Sequence, residues 1–280
     1  MNEQLALLRS ILDTPDDDTP RVVYADWLEE HDQSERAEFI RLQCALAQRF
    51  RERSYVADDA LLMTQWERQN ELLRTYRATW LNELPPWVGV QYFRRGFISS
   101  IQVTAAQWID QGNALEQMTP LDTVMFLQSP RYFSTLVHEP SLHRLAGLNF
   151  TNNGLSVQHV LYLSRTHEWP RLRSLSLAGN LLTTAAATVL ANASWMSELE
   201  YLDLSFNPLS DQSVIELARS PRVTRLRALQ LLGTRISDRA VQAVLDSPYL
   251  KRLDWFRVGE GISADVRREV ESRFPSTGFF

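Results

Sequence analysis

The chain is short of cysteine, of lysine and of long apolar runs, and each shortage excludes something. Cys44 is the only cysteine in 280 residues, so no disulfide can close within the chain. That usage suits a reducing compartment, and the sequence predicts a cytoplasmic protein. A thiol without a cysteine partner gives no structural zinc set. The histidines, His31, His138, His143, His159 and His167, contain no H-x-x-x-H pair, so no metal is predicted. Lys251 is the only lysine among 29 basic residues, a bias that by itself says little about binding. No segment approaches the roughly 18 uninterrupted apolar residues of a membrane span. The start, "MNEQLALLRS", has no basic stretch ahead of an apolar run, so no secretory signal is predicted. There is no G-x-S-x-G, no phosphate loop and no G-x-G-x-x-G, which removes sequence support for a nucleophile elbow, a nucleotide site or another cofactor site. The net charge is −5, and residues 1–80 alone carry sixteen acidic residues against ten arginines, a balance of −6. The remainder is nearly neutral and shows no strong basic stripe, so nucleic acid is not expected as a partner.

What the chain does have is apolar residues at regular spacing. Its hydrophobic content is 44%, with eight Trp and twelve Phe, enough for a sizeable core. The first eighty residues read as helices. Leu5, Leu8 and Leu12 share a helical face, and Pro15 with the Asp run ends it. Asp18 or Thr19 is placed to cap the next helix, with Pro20 in its first turn. There Val23 and Trp27, flanked by Tyr24 and Leu28, are expected to face inward. A third helix from Ser34 carries Phe39, Leu42, Leu46 and Phe50. A fourth, from about Ala57 to Trp80, carries Leu61, Leu62, Trp66, Leu72, Leu73 and Tyr76. "LPPWVG" (84–89) then breaks helix.

Beyond residue 96 a repeat dominates. "LAGLNFTNNGLS", "LRSLSLAGNLLT", "LEYLDLSFNPLS" and "LRALQLLGTRIS" begin at Leu145, Leu172, Leu199 and Leu226, always 27 residues apart. All fit Leu-x-x-Leu-x-Leu-x-x-Asn-x-Leu-Ser. "LKRLDWFRV" at Leu250 reads as the next copy after 24 residues; "LDTVMFLQS" at Leu121 and "ISSIQVTAA" at Ile98 fit more loosely. The alternation predicts a short strand with one buried face. Asn153, Asn180 and Asn207 fall where the chain turns, where their amides can bond backbone groups of neighbouring coils. Helical segments follow, opening on Ser, Thr or Asp. One strand and one helix cannot bury a core alone, but stacked units can. The pattern resembles the leucine-rich repeat, in the longer form similar to ribonuclease inhibitor. That resemblance implies an α/β solenoid with parallel strands on a concave side and helices on a convex one. Ser129, Thr234 and the "VGEGIS" stretch lack the Asn, so looser or differently bonded turns are expected there.

The opening stretch also has a likeness. Asp16–Asp18, Arg21, "YADWLEE" from Tyr24, and "EFIRLQ" from Glu38 resemble the bacterial repeat-companion domain, a short helical module found ahead of repeat arrays. "FRRGFISSI" (93–101) is similar to that family's entry into the first repeat. The likeness implies architecture and no chemistry. The resulting division is a helical module over 1–80, a connector over 81–97 and a repeat domain over 98–280, with the helices expected to seal the array's first edge.

Candidate chemistry is sparse. Asp16, Asp17 and Asp18 offer oxygen ligands, but not at the alternating spacing of a calcium loop, and no Gly follows for the sharp turn. Their expected role is to sit in a solvated turn near a helix start, where negative charge is favoured. Asp26 and Arg41 are expected to pair between helices, with Arg21, Glu29 and Glu38 as alternative partners; a structural ion pair is the expectation rather than an acid–base couple. With Tyr24 and Trp27 they form the module's structural motif. The outward strand positions carry the binding expectation. Their C-terminal end offers Tyr201, Asp203, Leu232, Arg252, Asp254 and Phe256, aromatics mixed with an arginine and carboxylates as at interface hot spots. A solvated sheet face with a few scattered apolar groups is the alternative. The sequence thus predicts a non-catalytic scaffold that binds another protein, in an oligomeric state it leaves open. Two further readings remain: a regulatory subunit contacting through its acidic N-terminal helices, and a metal-dependent enzyme using Asp16–Asp18.

Overall fold

The computed structural model describes residues 3–52, 59–166 and 169–275. His167, and Ala57 where the fourth helix is expected to begin, lie outside these residues. The chain divides into two compact units: Met1–Gln102 with Gln111–Asp122, and Val103–Asp110 with Thr123–Phe280.

The first unit opens with helices α1 (Glu3–Asp13), α2 (Thr19–Glu30), α3 (Ser34–Glu52) and α4 (Ala60–Leu81). Strands β1 (Gly89–Arg94) and β2 (Phe97–Thr104) then pair antiparallel. β1 lies inside the stretch 81–97 that the sequence offers as a connector. Between the strands Arg95 and Gly96 both have positive φ, as a two-residue hairpin turn requires. Gly96 has a second reason: a Cβ there would stand 2.4 Å from Ile40 Cγ1. Two apolar clusters hold this unit. One gathers Ile11, Tyr24, Ala25, Leu28, Ile40 and Phe97, the other Phe39, Leu72 and Trp80.

The inward face of α2 differs from the periodicity reading. Arg21, Tyr24, Ala25 and Leu28 are buried, while Val23 is 47% exposed. The stripe is rotated by about one residue because a charged side chain is part of it, and apolar spacing cannot register a buried arginine. On α4, Leu61 and Trp66 are likewise exposed. Asp59 caps this helix by accepting from the Leu62 N–H at 3.0 Å.

Helix α5 (Ala105–Glu116) follows β2, and the division between the units passes through it. In the second unit, β3 (Thr123–Leu127), α6 (Phe133–Leu136), β4 (Gly147–Asn149), α7 (Val157–Arg165), β5 (Ser174–Ser176), α8 (Thr184–Asn192), β6 (Tyr201–Asp203), α9 (Asp211–Ala218), β7 (Ala228–Leu231), α10 (Asp238–Leu245), β8 (Trp255–Val258) and α11 (Ala264–Arg273) alternate along the chain. Strands β3 to β8 pair in parallel and in chain order. The fold is α/β with a mostly parallel sheet. Leu148, Leu175, Leu202, Leu229 and Phe256 stand in register and are all buried. Against them pack the inner faces of the helices, among them Leu190, Val214, Leu217, Val241 and Val244.

The last pairing corrects the sequence reading. Ala228 is opposite Trp255 and Leu229 opposite Phe256, so the final unit keeps the 27-residue step. The copy begins at Leu253, not Leu250. Both leucines are buried, which is why spacing alone chose the wrong one.

Candidate functional site

The turn after each strand is built the same way five times. Gln128, Asn152, Gly179, Phe206 and Gly233 all have φ between 53 and 65. Each is followed by a buried polar residue: Ser129, Asn153, Asn180, Asn207 or Thr234. The left-handed residue redirects the chain and turns the next side chain inward. Asn180 shows the outcome. Its Nδ2 donates to Phe150 O (2.9 Å), Leu177 O (2.8 Å) and Ala178 O (3.1 Å). Its Oδ1 accepts from Asn153 N (3.1 Å) and Leu155 N (2.8 Å) of the preceding repeat. Asn153 likewise reaches Phe126 O, and Asn207 reaches Leu177 O and accepts from Leu182 N. These amides satisfy backbone groups that the turn withdraws from the ladder. The Ser129 N–H donates to Asn153 Oδ1 just as the Asn153 N–H does to Asn180, and the Ser129 hydroxyl donates to the same oxygen. Thr234 donates only to its own Leu231 O at 2.7 Å.

A second tie joins the helix starts. The Asp211 carboxylate accepts from the Ser237 N–H (2.7 Å) and hydroxyl (2.6 Å), and Asp238 accepts from the Ser263 N–H (2.7 Å). That backbone bond holds the Asp238 carboxyl below its ordinary value of 3.8.

On the outward side of the sheet, Tyr201, Ala228 and Trp255 form one row, with Ala228 itself fully buried, and Asp203, Gln230 and Arg257 form the next. Tyr201 and Asp203, named from sequence, lie here, both half-buried. The Tyr201 hydroxyl accepts from Gln230 Nε2. Burial, helped by the Asp203 charge, pushes the Tyr201 phenol up to about 12. Asp203 Oδ1 accepts from the Ser205 N–H at 2.9 Å. Leu232 is half-buried just past β7, and its N–H donates to the Ser205 hydroxyl at 3.1 Å.

The other three named residues are elsewhere. Phe256 is 1% exposed and packs edge-on against Phe274, at 5.8 Å between ring centres. It belongs to the core because the repeat starts three residues later than the sequence suggests. Arg252 and Asp254 precede β8, both exposed, and Asp254 accepts from Arg227 Nη2 at 2.6 Å. Trp255 and Arg257 take the outward positions instead, with the guanidinium 5.2 Å from the Trp255 ring centre. A strict 27-residue step applied to Leu226 would have found them.

The acidic turn of the first unit is tied to buried arginines. Arg21 Nη1 donates to Asp17 O (2.7 Å) and Arg95 Nη1 to Pro15 O (3.0 Å). Arg95 Nε lies 3.3 Å from Asp18 Oδ1. Asp18 stands at the start of α2 but makes no side-chain cap; Asp17 Oδ1 accepts from the Thr19 N–H at 2.9 Å instead. Among the described residues no group of three or more His, Cys, Asp or Glu is arranged to hold a metal. Asp26 pairs with Arg41 at 2.6 Å and Glu29 with the same guanidinium at 2.5 Å, all on the surface. Tyr24 and Trp27 stack at 6.0 Å. Sequence reasoning missed Arg36, which is 5% exposed, lies 4.8 Å from the Trp80 ring and pairs with Glu83 at 3.0 Å. Cys44 is buried, and burial pushes its thiol up to about 12. The gap beneath β6 and β7 is lined only by aliphatic side chains and alanine, with no group that would orient a polar ligand.

A model of the leucine-rich repeat family matches residues 198–219, so leucine-rich repeat sequence is present in that segment. No curated protein matches it. Among solved structures, an internalin from Listeria monocytogenes is similar at 17% identity and a TM-score of 0.30. The match covers 59% of this chain and 56% of that one, so the chain spans just over half the internalin's length.

Proposed function

We propose that the protein is a non-catalytic scaffold that binds another protein through the outward face of β6, β7 and β8. One observation carries this: the partly exposed aromatics Tyr201 and Trp255, in register on either side of the buried Ala228, beside the polar row Asp203–Gln230–Arg257. Aromatics and arginine dominate interface energetics. The strands that hold them are fixed by the buried leucines and the asparagine turns, so little ordering entropy is lost on binding. In this reading the repeats form a solenoid similar to ribonuclease inhibitor, with this face concave and the helices convex, over residues 98–280. Residues 1–80 are a repeat-companion module joined by residues 81–97, and the protein works in the bacterial cytoplasm without a cofactor. Enzymatic use of Asp16–Asp18 has little to stand on, since Asp17 and Asp18 are engaged by Thr19 and Arg95.

The test is affinity capture with the full chain and with a Tyr201→Ala/Trp255→Ala double variant of matching circular dichroism. The variant should lose the captured protein. Undiminished capture would remove this face as the site, and deleting residues 1–80 would then ask whether the acidic helices make the contact.

A further inference from the structure

The residues just ahead of the strands carry the opposite sign to the chain as a whole. Arg171, Glu198, Arg225 and Arg252 recur every 27 residues. Two residues on, Arg173, Glu200, Arg227 and Asp254 are stacked by the backbone: Arg173 O accepts from Glu200 N and Tyr201 N, Glu200 O from Arg227 N and Ala228 N, Arg227 O from Asp254 N and Trp255 N. This charged edge therefore runs directly into the row that holds Tyr201 and Trp255. With Lys251 it has six basic residues and three acidic ones, in a chain whose net charge is −5.

Two of the three acids are engaged within the edge. Glu198 takes Arg225 at 2.5 Å and Arg173 at 3.7 Å, and Asp254 takes Arg227 at 2.6 Å. Lys251 and Arg252 are exposed, and among the described residues neither makes an ion pair. A cationic surplus therefore stands at the C-terminal end of the edge, one step from Trp255. Arg257, lying over the Trp255 ring, adds a further positive charge there.

We infer that the partner segment held by this face is acidic and carries an apolar anchor. Its carboxylates would meet Lys251 and Arg252, and its anchor would lie against the partly exposed rings of Tyr201 and Trp255. This rests on the reading of β6 to β8 as the binding face and adds the chemistry of what binds. Complementary charge raises the encounter rate and rejects like-charged competitors. A polyphosphate fits less well. Glu198, Glu200 and Asp254 interrupt the basic edge, and a continuous phosphate backbone would meet all three. A peptide can space its carboxylates around them.

The experiment is fluorescence anisotropy on the full chain with three labelled probes of equal length: a Glu-rich peptide with a central Phe, its Lys-for-Glu counterpart, and a single-stranded DNA. The acidic peptide should bind, and bind more weakly as salt is raised. The Lys peptide should not bind. Lys251→Glu/Arg252→Glu, which breaks no ion pair and should keep the circular dichroism, should weaken the acidic peptide about tenfold or more, about 1.4 kcal/mol. Equal binding of the two peptides, tighter binding of the DNA, or an unaffected charge-reversal variant would overturn the inference. If the acidic peptide fails while Tyr201→Ala/Trp255→Ala still abolishes capture, the inference falls and the binding face stands. If that capture also survives, both fall.

Discussion

Asn180 takes part in five hydrogen bonds across two repeats, all buried. Replacing it with Ala orphans the Asn153 and Leu155 N–H groups and the Phe150 carbonyl, whereas Leu177 O keeps Asn207 Nδ2 and Ala178 O keeps the Asn152 N–H. Each buried orphan costs about 1–3 kcal/mol, and local relaxation recovers part of that. Asn180→Ala should therefore lose about 3 kcal/mol or more by urea unfolding, with the midpoint falling at unchanged slope. A loss under about 1 kcal/mol would mean that the amide is dispensable. Phe206 makes the opposite case. It is 64% exposed and has φ 56, a left-handed backbone that a bulky residue rarely adopts. Phe206→Gly should raise stability by about 1 kcal/mol in the same assay. Cys44 offers a test of burial. A thiol pushed up to about 12 is almost wholly protonated at neutral pH, so it should resist alkylation in the native protein and react after unfolding. Native labelling followed by mass spectrometry would show otherwise if the first unit opens readily.

At the scale of the element, glycine and its neighbour across the repeat are matched. Gly179 has φ 65, and a Cβ there would stand 1.9 Å from Asn152 Oδ1. Gly179→Ala should cost about 1–2 kcal/mol through left-handed strain alone, and more unless Asn152 moves. The strands themselves were legible in sequence, because Leu175 and Leu177 or Leu202 and Leu204 alternate with polar residues. Helix α2 was legible as a helix but not in its orientation. Its inward face includes Arg21, whose guanidinium anchors the acidic turn, and no apolar pattern announces that. The same blindness hid Arg36 in its aromatic surround. β8 failed for a third reason: Leu250 and Leu253 both fit the first slot, and only cross-strand pairing chooses between them.

For the whole molecule, stability should be bounded on both sides of neutrality. Asp17, Asp59 and Asp238 are each held below the ordinary 3.8, most strongly by a backbone N–H. Their contribution is full above 3.8 and is lost as pH falls through the lower folded values. Cys44 and Tyr201 are raised from 9.0 and 10.0 to about 12 by burial. In the unfolded chain they ionise first, so stability is lost as pH rises from about 9 towards 12. Urea midpoints across pH should trace this dome. Cys44→Ser and Tyr201→Phe should each flatten the alkaline limb, and an unchanged limb would remove the corresponding residue from the account.

The sequence by itself determined the middle repeat strands, their helices and the recurrence that stacks them, because a 27-residue repeat of leucines buries a core only by adding neighbours. It also determined where the asparagines fall, since a turn that withdraws backbone groups needs a side chain to satisfy them. Only the tertiary structure decided which residues face outward at the end of the sheet. A strand's side chains alternate, so an odd shift of register exchanges the buried row for the open one. Three residues' difference in where the last repeat begins moved Phe256 into the core and brought Trp255 and Arg257 to the surface.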